Sequence, residues 1–227
     1  MKKLVIFDLD GTLLNTIEDI SDAFNYALVS NGLRKASIEE IKYFVGSGVD
    51  NLVKRAITKI KSEEEIDKYF DSIKELYLSE YVRVQKNKTR LYEGIMDLVI
   101  NLKSLNIKVA VLSNKPDSDV KEIIKYYFKD FSFDYVQGQN KEIGIKPSSL
   151  GINKILESLN IKKEDALMVG DSDVDVLTGI NANVDACAVL WGFRKKEELL
   201  KAKYIVSNTL ELYEVIVNGI WWNNTIK

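Results

Sequence analysis

Short apolar runs recur along the chain, with amphipathic stretches between them. The clearest runs cover 4–8, 107–112, 134–137, 166–170, 186–190 and 204–206. Their interiors are nearly continuous, as in Val109-Ala110-Val111-Leu112 and Ala166-Leu167-Met168-Val169. A strand solvated on one face alternates apolar and polar residues, whereas a strand covered on both faces does not. These runs therefore predict buried parallel strands. Between them, 94–105, 117–129, 148–159 and 173–182 read as helices. In the first, Ile95, Leu98, Val99, Leu102 and Leu105 fall on one face. Strand and helix in alternation predict an α/β fold built on a doubly wound parallel sheet.

Residues 15–88 break this rhythm and read as helices alone. Ile66, Tyr69, Phe70, Ile73, Leu76 and Tyr77 keep a helical period. Ser37-x-x-Glu40 and Ser62-x-x-Glu65 have the form of capping boxes. The expected organisation is a core of residues 1–14 and 89–227 with a helical domain, 15–88, inserted in it. The chain would leave the core at the turn after Leu14 and return through Gln85-Lys86-Asn87-Lys88-Thr89. Tyr69, Phe70 and Tyr77 are expected to pack inside the insertion.

Composition narrows the function. The chain has 227 residues, of which 46% are hydrophobic, enough for a substantial core. Its 32 basic and 34 acidic residues leave a net charge of −2. That balance lacks the basic footprint of a nucleic-acid binder. The single cysteine, Cys187, sits in the run Ala186-Cys187-Ala188-Val189-Leu190 and reads as a small buried hydrophobe. With no disulfide partner it suits a reducing compartment. Asp8 and Asp10 interrupt the first apolar run too early for a secretory signal. No run approaches the ~18 apolar residues of a membrane span. A soluble cytoplasmic protein with no membrane partner is expected. There is no histidine. Ser-His triads and His-ligated zinc are thereby excluded, and acid–base chemistry falls to carboxylates, Lys, Tyr or the one Cys.

Four segments at the ends of apolar runs carry candidate chemistry. Phe7-Asp8-Leu9-Asp10-Gly11-Thr12 follows the first. Ligands of open α/β sheets bind outside the carboxyl ends of strands, and two carboxylates so close call for a cation or a shared proton. Mg²⁺ suits such hard oxygens. A solvated turn would also use Asp and Gly. Ser113-Asn114-Lys115-Pro116 could offer a hydroxyl and amides to a phosphate, or be an ordinary strand-to-helix turn. In Ile145-Lys146-Pro147 the lysine could offset negative charge in a transition state, or simply be a surface lysine. In Gly170-Asp171-Ser172-Asp173-Val174-Asp175, Asp171 stands at a strand tip and could ligate metal. Asp173 or Ser172 could cap the next helix, and Asp175 suits its first turn.

Taken together, Asp8-x-Asp10-Gly11-Thr12, Ser113-Asn114, Lys146-Pro147 and Gly170-Asp171-Ser172-x-x-Asp175 resemble the four motifs of the haloacid dehalogenase-like phosphohydrolases. The helical insertion resembles that superfamily's type 1 cap. Leu91-Tyr92-x-Gly94-Ile95, Ser113-Asn114-Lys115-Pro116 and Val45-Gly46-Ser47-Gly48 followed by Leu52 and Arg55 resemble its phosphoglycolate phosphatase-like branch. Tyr92-Glu93-Gly94 departs from that branch, whose members often carry Pro before the Gly. The resemblance implies Asp8 as nucleophile and Asp10 as acid and base. It implies Mg²⁺ held by Asp8, the Asp10 carbonyl and Asp171. Ser113, Asn114 and Lys146 would take phosphoryl oxygens. Asp175, Thr12 and Ser172 would support the ligands from behind. Gly46, Gly48 and Arg55 of the cap would select a small phosphorylated metabolite.

Several alternatives stay open at this stage. Pyrophosphatases and nucleotidases share the branch, and a phosphomutase would use the same aspartyl-phosphate. A dehalogenase would leave Asp10 without a role. A signalling receiver domain also carries acids at strand tips, but its acceptor belongs on a middle strand with an acidic pair on the first. Monomer and homodimer are both open, and no function follows from Trp221-Trp222.

Overall fold

The computed structural model describes residues 1–219; the Trp221-Trp222 pair lies outside the described residues. Six parallel strands form the central sheet: β1 (Leu4–Phe7), β4 (Lys108–Pro116), β5 (Tyr135–Gln139), β6 (Ala166–Gly170), β7 (Asp185–Val189) and β8 (Tyr204–Val206). Their spatial order is β5-β4-β1-β6-β7-β8. In register, Ile6 lies between Ala110 of β4 and Met168 of β6.

Alternate residues of these strands enter different cores, which is why the runs are continuously apolar. Val5, Phe7, Val109, Val111, Leu167 and Val169 join one core. It includes α5 (Ile95–Ser104), α6 (Asp117–Tyr127) and α9 (Thr209–Asn218). Leu4, Ile6, Ala110, Leu112, Ala166 and Met168 pack on the other face, with Ile152, Ile155 and Leu156 of α7 (Leu150–Leu159) and Ala182 of α8 (Asp173–Ala182). Cys187 is buried, as its run implies.

Four helices stand between the first two long strands: α1 (Ile17–Ser30), α2 (Ile38–Phe44), α3 (Val49–Ile60) and α4 (Ile66–Val84). α1 and α4 pack together, with Phe24 edge-on to Tyr77 at 5.5 Å between ring centroids. The two chain crossings to this block pair as a short antiparallel ribbon, β2 (Leu14–Asn15) with β3 (Arg90–Leu91). Buried Asp19 of α1 accepts from the main-chain N–H groups of Lys88 and Thr89, fixing the returning chain beside the outgoing one.

One local expectation is corrected. Ser37 and Glu40 do form a capping box, but Ser62 heads a single 3₁₀ turn, Glu63–Glu65, without a side-chain cap bond. The Ser113–Pro116 segment continues β4 through a bulge to pair Pro116 with Gln139, so of its two open readings the ordinary strand-to-helix turn does not hold. α9 follows β8 in a stretch for which the apolar pattern predicts no element above. Among the described residues no helix is long and apolar enough to cross a membrane.

Candidate active site

Strand order explains why residues far apart in sequence meet. β4, β1 and β6 are neighbours, so their carboxyl ends present Ser113-Asn114, Asp8 and Asp171 along one edge. The loop between β5 and α7 adds Lys146, whose Nζ lies 2.8 Å from Asp8 Oδ1 and 2.5 Å from Asp175 Oδ1. Carboxylate oxygens of Asp8, Asp171 and Asp175 all come within 4.8 Å of one another, and all three residues are buried.

Each support has a local cause. Ser172 caps α8 and forms a box with Asp175: its main-chain N–H and its hydroxyl both donate to Asp175 Oδ2, at 3.1 and 2.6 Å. With Oδ1 on Lys146, both oxygens of Asp175 are thus engaged by protein groups. Phe193 N donates to Asp171 Oδ2 at 2.7 Å, and the Thr12 hydroxyl to Asp171 Oδ1 at 3.4 Å. Gly11 has φ +86°, and a Cβ there would lie 2.3 Å from Asp171 Oδ2, so the turn after Asp10 must be glycine. Asn114 Oδ1 accepts from Lys146 N at 2.7 Å, and its Nδ2 donates to the carbonyls of Lys146 and Gly46. Its side chain is a clamp, which leaves the main chain there to meet a ligand.

Electrostatics follow from burial. Desolvation, then the Asp175 charge, raises the Asp8 carboxyl well above its usual range, against the pull of Lys146. The same two causes push Asp171 up to about 7. For Lys146, desolvation lowers the ammonium pKa, but Asp175 and Asp8 outweigh it and hold the charged form. Close buried carboxylates in excess of nearby cations are the condition a hard divalent ion relieves, and the oxygen donors suit Mg²⁺. Asp8, the Asp10 carbonyl and Asp171 could hold it.

A cavity of about 50 Å³ opens beside these groups, lined by Asp8, Asp10, Ser113 and Asp171 from the sheet edge. Val45, Gly46, Gly48, Leu52 and Tyr77 of the helical block face them across it. Tyr77 thus serves both the helical core and the cavity wall. Gly48 has φ +82°, and a Cβ there would press within 2.6 Å of Ile145 Cδ1. Arg55 does not line the cavity. Its guanidinium donates to the carbonyls of Tyr43 and Phe44 and to Ser47 Oγ, so it closes the end of α2, and its expected role in selecting substrate is withdrawn. Two cations that sequence reasoning left without a role do line it. Lys115 lay inside a segment already singled out. The signal for Arg194 is its place beyond the tip of β7, the kind of position that also marks Asp8 and Asp171.

The model of the haloacid dehalogenase-like hydrolase family matches residues 5–189. The chain belongs to the haloacid dehalogenase-like hydrolases. As a member of that family it has curated relatives named phosphoglycolate phosphatase. One, from Psychrobacter arcticus, is 33% identical over 201 residues, 87% of this chain and 87% of the relative. Another, from Vibrio parahaemolyticus, is 29% identical over 219 residues, 94% and 96% of the two chains. A solved structure of a candidate phosphoglycolate phosphatase from Lactobacillus delbrueckii subsp. bulgaricus superposes with a TM-score of 0.88 at 33% identity, covering 95% of this chain and 99% of that one. Membership in this hydrolase family decides against the receiver-domain alternative.

Proposed function

We propose that the protein is a cytoplasmic phosphoric monoester hydrolase that cleaves a small phosphorylated metabolite, phosphoglycolate or a close analogue, through a phosphoenzyme on Asp8. One observation carries this reading: a buried lysine, Lys146, bridges Asp8 and Asp175 beside Asp171 at a single sheet edge.

The roles follow from position. Asp8 attacks phosphorus as the ester P–O bond breaks, and Asp10 gives a proton to the leaving oxygen. Asp10 then takes a proton from the water that attacks the phosphoenzyme and regenerates Asp8. One oxygen of Asp10, Oδ1, is buried without a hydrogen-bond partner among the described residues, which suits a group reserved for substrate. Lys146, the Ser113 hydroxyl and the Asn114 main chain take the phosphoryl oxygens, while Asp175 and Ser172 hold Lys146 in place. Mg²⁺, held by Asp8, the Asp10 carbonyl and Asp171, would supply charge that lets an anionic nucleophile approach an anionic phosphate. Residues 15–88 act as a lid over a core of 1–14 and 89–227, and the β2–β3 ribbon is its hinge.

Kinetics with a panel of phosphate esters test this. With Mg²⁺, the wild type is expected to release phosphate from phosphoglycolate, whereas Asp8→Asn or added EDTA lowers turnover by at least ~10³-fold. Asp8→Asn protein that keeps its fold and still turns over would remove the nucleophile assignment. Dependence on a sugar bisphosphate activator would mark a mutase instead.

A further inference from the structure

Lys115 is a buried cation, 8% exposed, for which the hydrolytic steps need no role. Its Nζ lies 3.2 Å from Asp10 Oδ2, donates to the Tyr81 hydroxyl at 3.0 Å, and sits 4.2 Å from the centroid of the Tyr81 ring. An ammonium has three donors. Two are used by these groups, and among the described residues the side chain has no third partner. The contact with Asp10 is also long for a charge-assisted bond, which usually measures about 2.7–2.9 Å. By contrast, Lys146 grips Asp175 at 2.5 Å.

The surroundings fix what this cation can meet. The cavity wall facing it is mostly apolar, from Ile20, Val45, Val49, Leu52 and Tyr77. Arg194 is the other cationic side chain on the wall outside the Asp8–Lys146 cluster. Its fork is turned to the main-chain carbonyls of Lys42 and Val45. A second negative charge on a substrate therefore finds one cation with a donor to spare. That cation touches Asp10, the residue that faces the leaving oxygen, and the phosphoryl group has Lys146. So the charge Lys115 can meet belongs to the leaving group and lies close to the ester oxygen.

We propose that Lys115 is the specificity-determining residue of the site and binds a carboxylate carried on the carbon next to the ester oxygen, so that the enzyme selects phosphate esters of 2-hydroxy acids. This rests on the phosphatase reading above. Lys115 and the substrate carboxylate pair in a cavity walled by apolar side chains, where an ion pair is screened little. An ester of equal size without that charge leaves the buried ammonium short of a partner, and such sites discriminate strongly.

The test compares kcat/KM of the Mg²⁺-loaded enzyme for phosphoglycolate and for 2-hydroxyethyl phosphate, which has an uncharged hydroxymethyl in place of the carboxylate. The wild type should prefer phosphoglycolate by at least ~100-fold. Lys115→Met should slow both esters, because Asp10 loses its neighbour. It should also shrink the preference by ~10-fold or more, with the extra loss appearing as a higher KM for phosphoglycolate. Lys115→Arg should restore part of the preference. A Lys115→Met enzyme that is slower on both esters by one common factor would overturn the proposal, for the lysine would then act only through Asp10. A wild type without preference between the two esters would overturn it as well, and that result needs no variant to fold. If the wild type hydrolysed the two esters equally, the phosphatase reading would survive the loss of this one. If it hydrolysed neither of them nor p-nitrophenyl phosphate, both readings would fall.

Discussion

Asp171 shows how much the site asks of single residues. Its carboxyl is pushed from the ordinary value of 3.8 up to about 7, by burial first and by Asp175 second. Between those two values the folded protein holds a proton that the unfolded chain has released. The folded state then binds more protons, so stability falls as pH rises across this window. Below it the group contributes nothing either way; above it the unfavourable contribution stays at its full size. The shift of Asp8 has the same sign. Metal-free protein in EDTA is therefore expected to lose melting temperature between about pH 4 and about pH 7, and Asp171→Asn should flatten that slope. Because a hard divalent ion needs the deprotonated carboxylates, Mg²⁺ should raise the melting temperature more at pH 8 than at pH 5. Thermal melts across pH, with and without Mg²⁺, read both effects. An unchanged slope in Asp171→Asn would mean that this carboxyl is not under the strain described.

Among the elements, α9 offers a clean measurement because it lies away from the cavity. Its first turn is closed by Asn208, whose Oδ1 accepts from Glu211 N at 2.9 Å. Asn208→Ala should cost about 1 kcal/mol and lower the melting temperature by roughly 2–4 °C, with kcat/KM unaltered. A urea melt reads the first effect, and no loss would mean that the bond is not made in solution. α9 also marks where sequence reading stopped short, although Asn208-x-x-Glu211 before Leu212, Val215 and Ile216 was a usable signal. The long strands were legible because burial on both faces erases alternation, as in Ala166–Gly170. β2 and β3, two residues each, are too short to show any period. Asp8 and Asp171 were legible as candidates because a strand tip is a place that sequence can locate. Arg55 shows the limit of that logic. Helical spacing gives the face a residue occupies, but only packing decided that its face meets the end of α2 instead of the cavity.

For the whole molecule, the question is what holds the helical block against the sheet so that the cavity has a wall. Two side chains, one from the end of β4 and one from the loop after β7, reach across to a single stretch of that block. Asn114 Nδ2 donates to Gly46 O at 2.9 Å, and Arg194 donates to Lys42 O and to Val45 O. Arg55, from within the block, takes the two carbonyls between, those of Tyr43 and Phe44. The end of α2 is thus tied on one side to its own block and on the other to the loop after β7. Val45 and Gly46 line the cavity, so the tie sets the position of a wall of the site. Arg194→Met keeps an apolar stem and removes the donors. Losing bonds to a charged group, with their carbonyls left in place, should cost about 1.5–3 kcal/mol. It should also speed amide hydrogen exchange selectively in 42–48, since local opening there would no longer break bonds to the core. KM for the phosphate ester should rise more than kcat falls, because the wall is displaced while Asp8, Lys146 and Asp171 keep their own partners. Exchange mass spectrometry and steady-state kinetics on the same preparation would check this. Unchanged exchange in 42–48 would show that the block is held against the sheet by its apolar contacts alone.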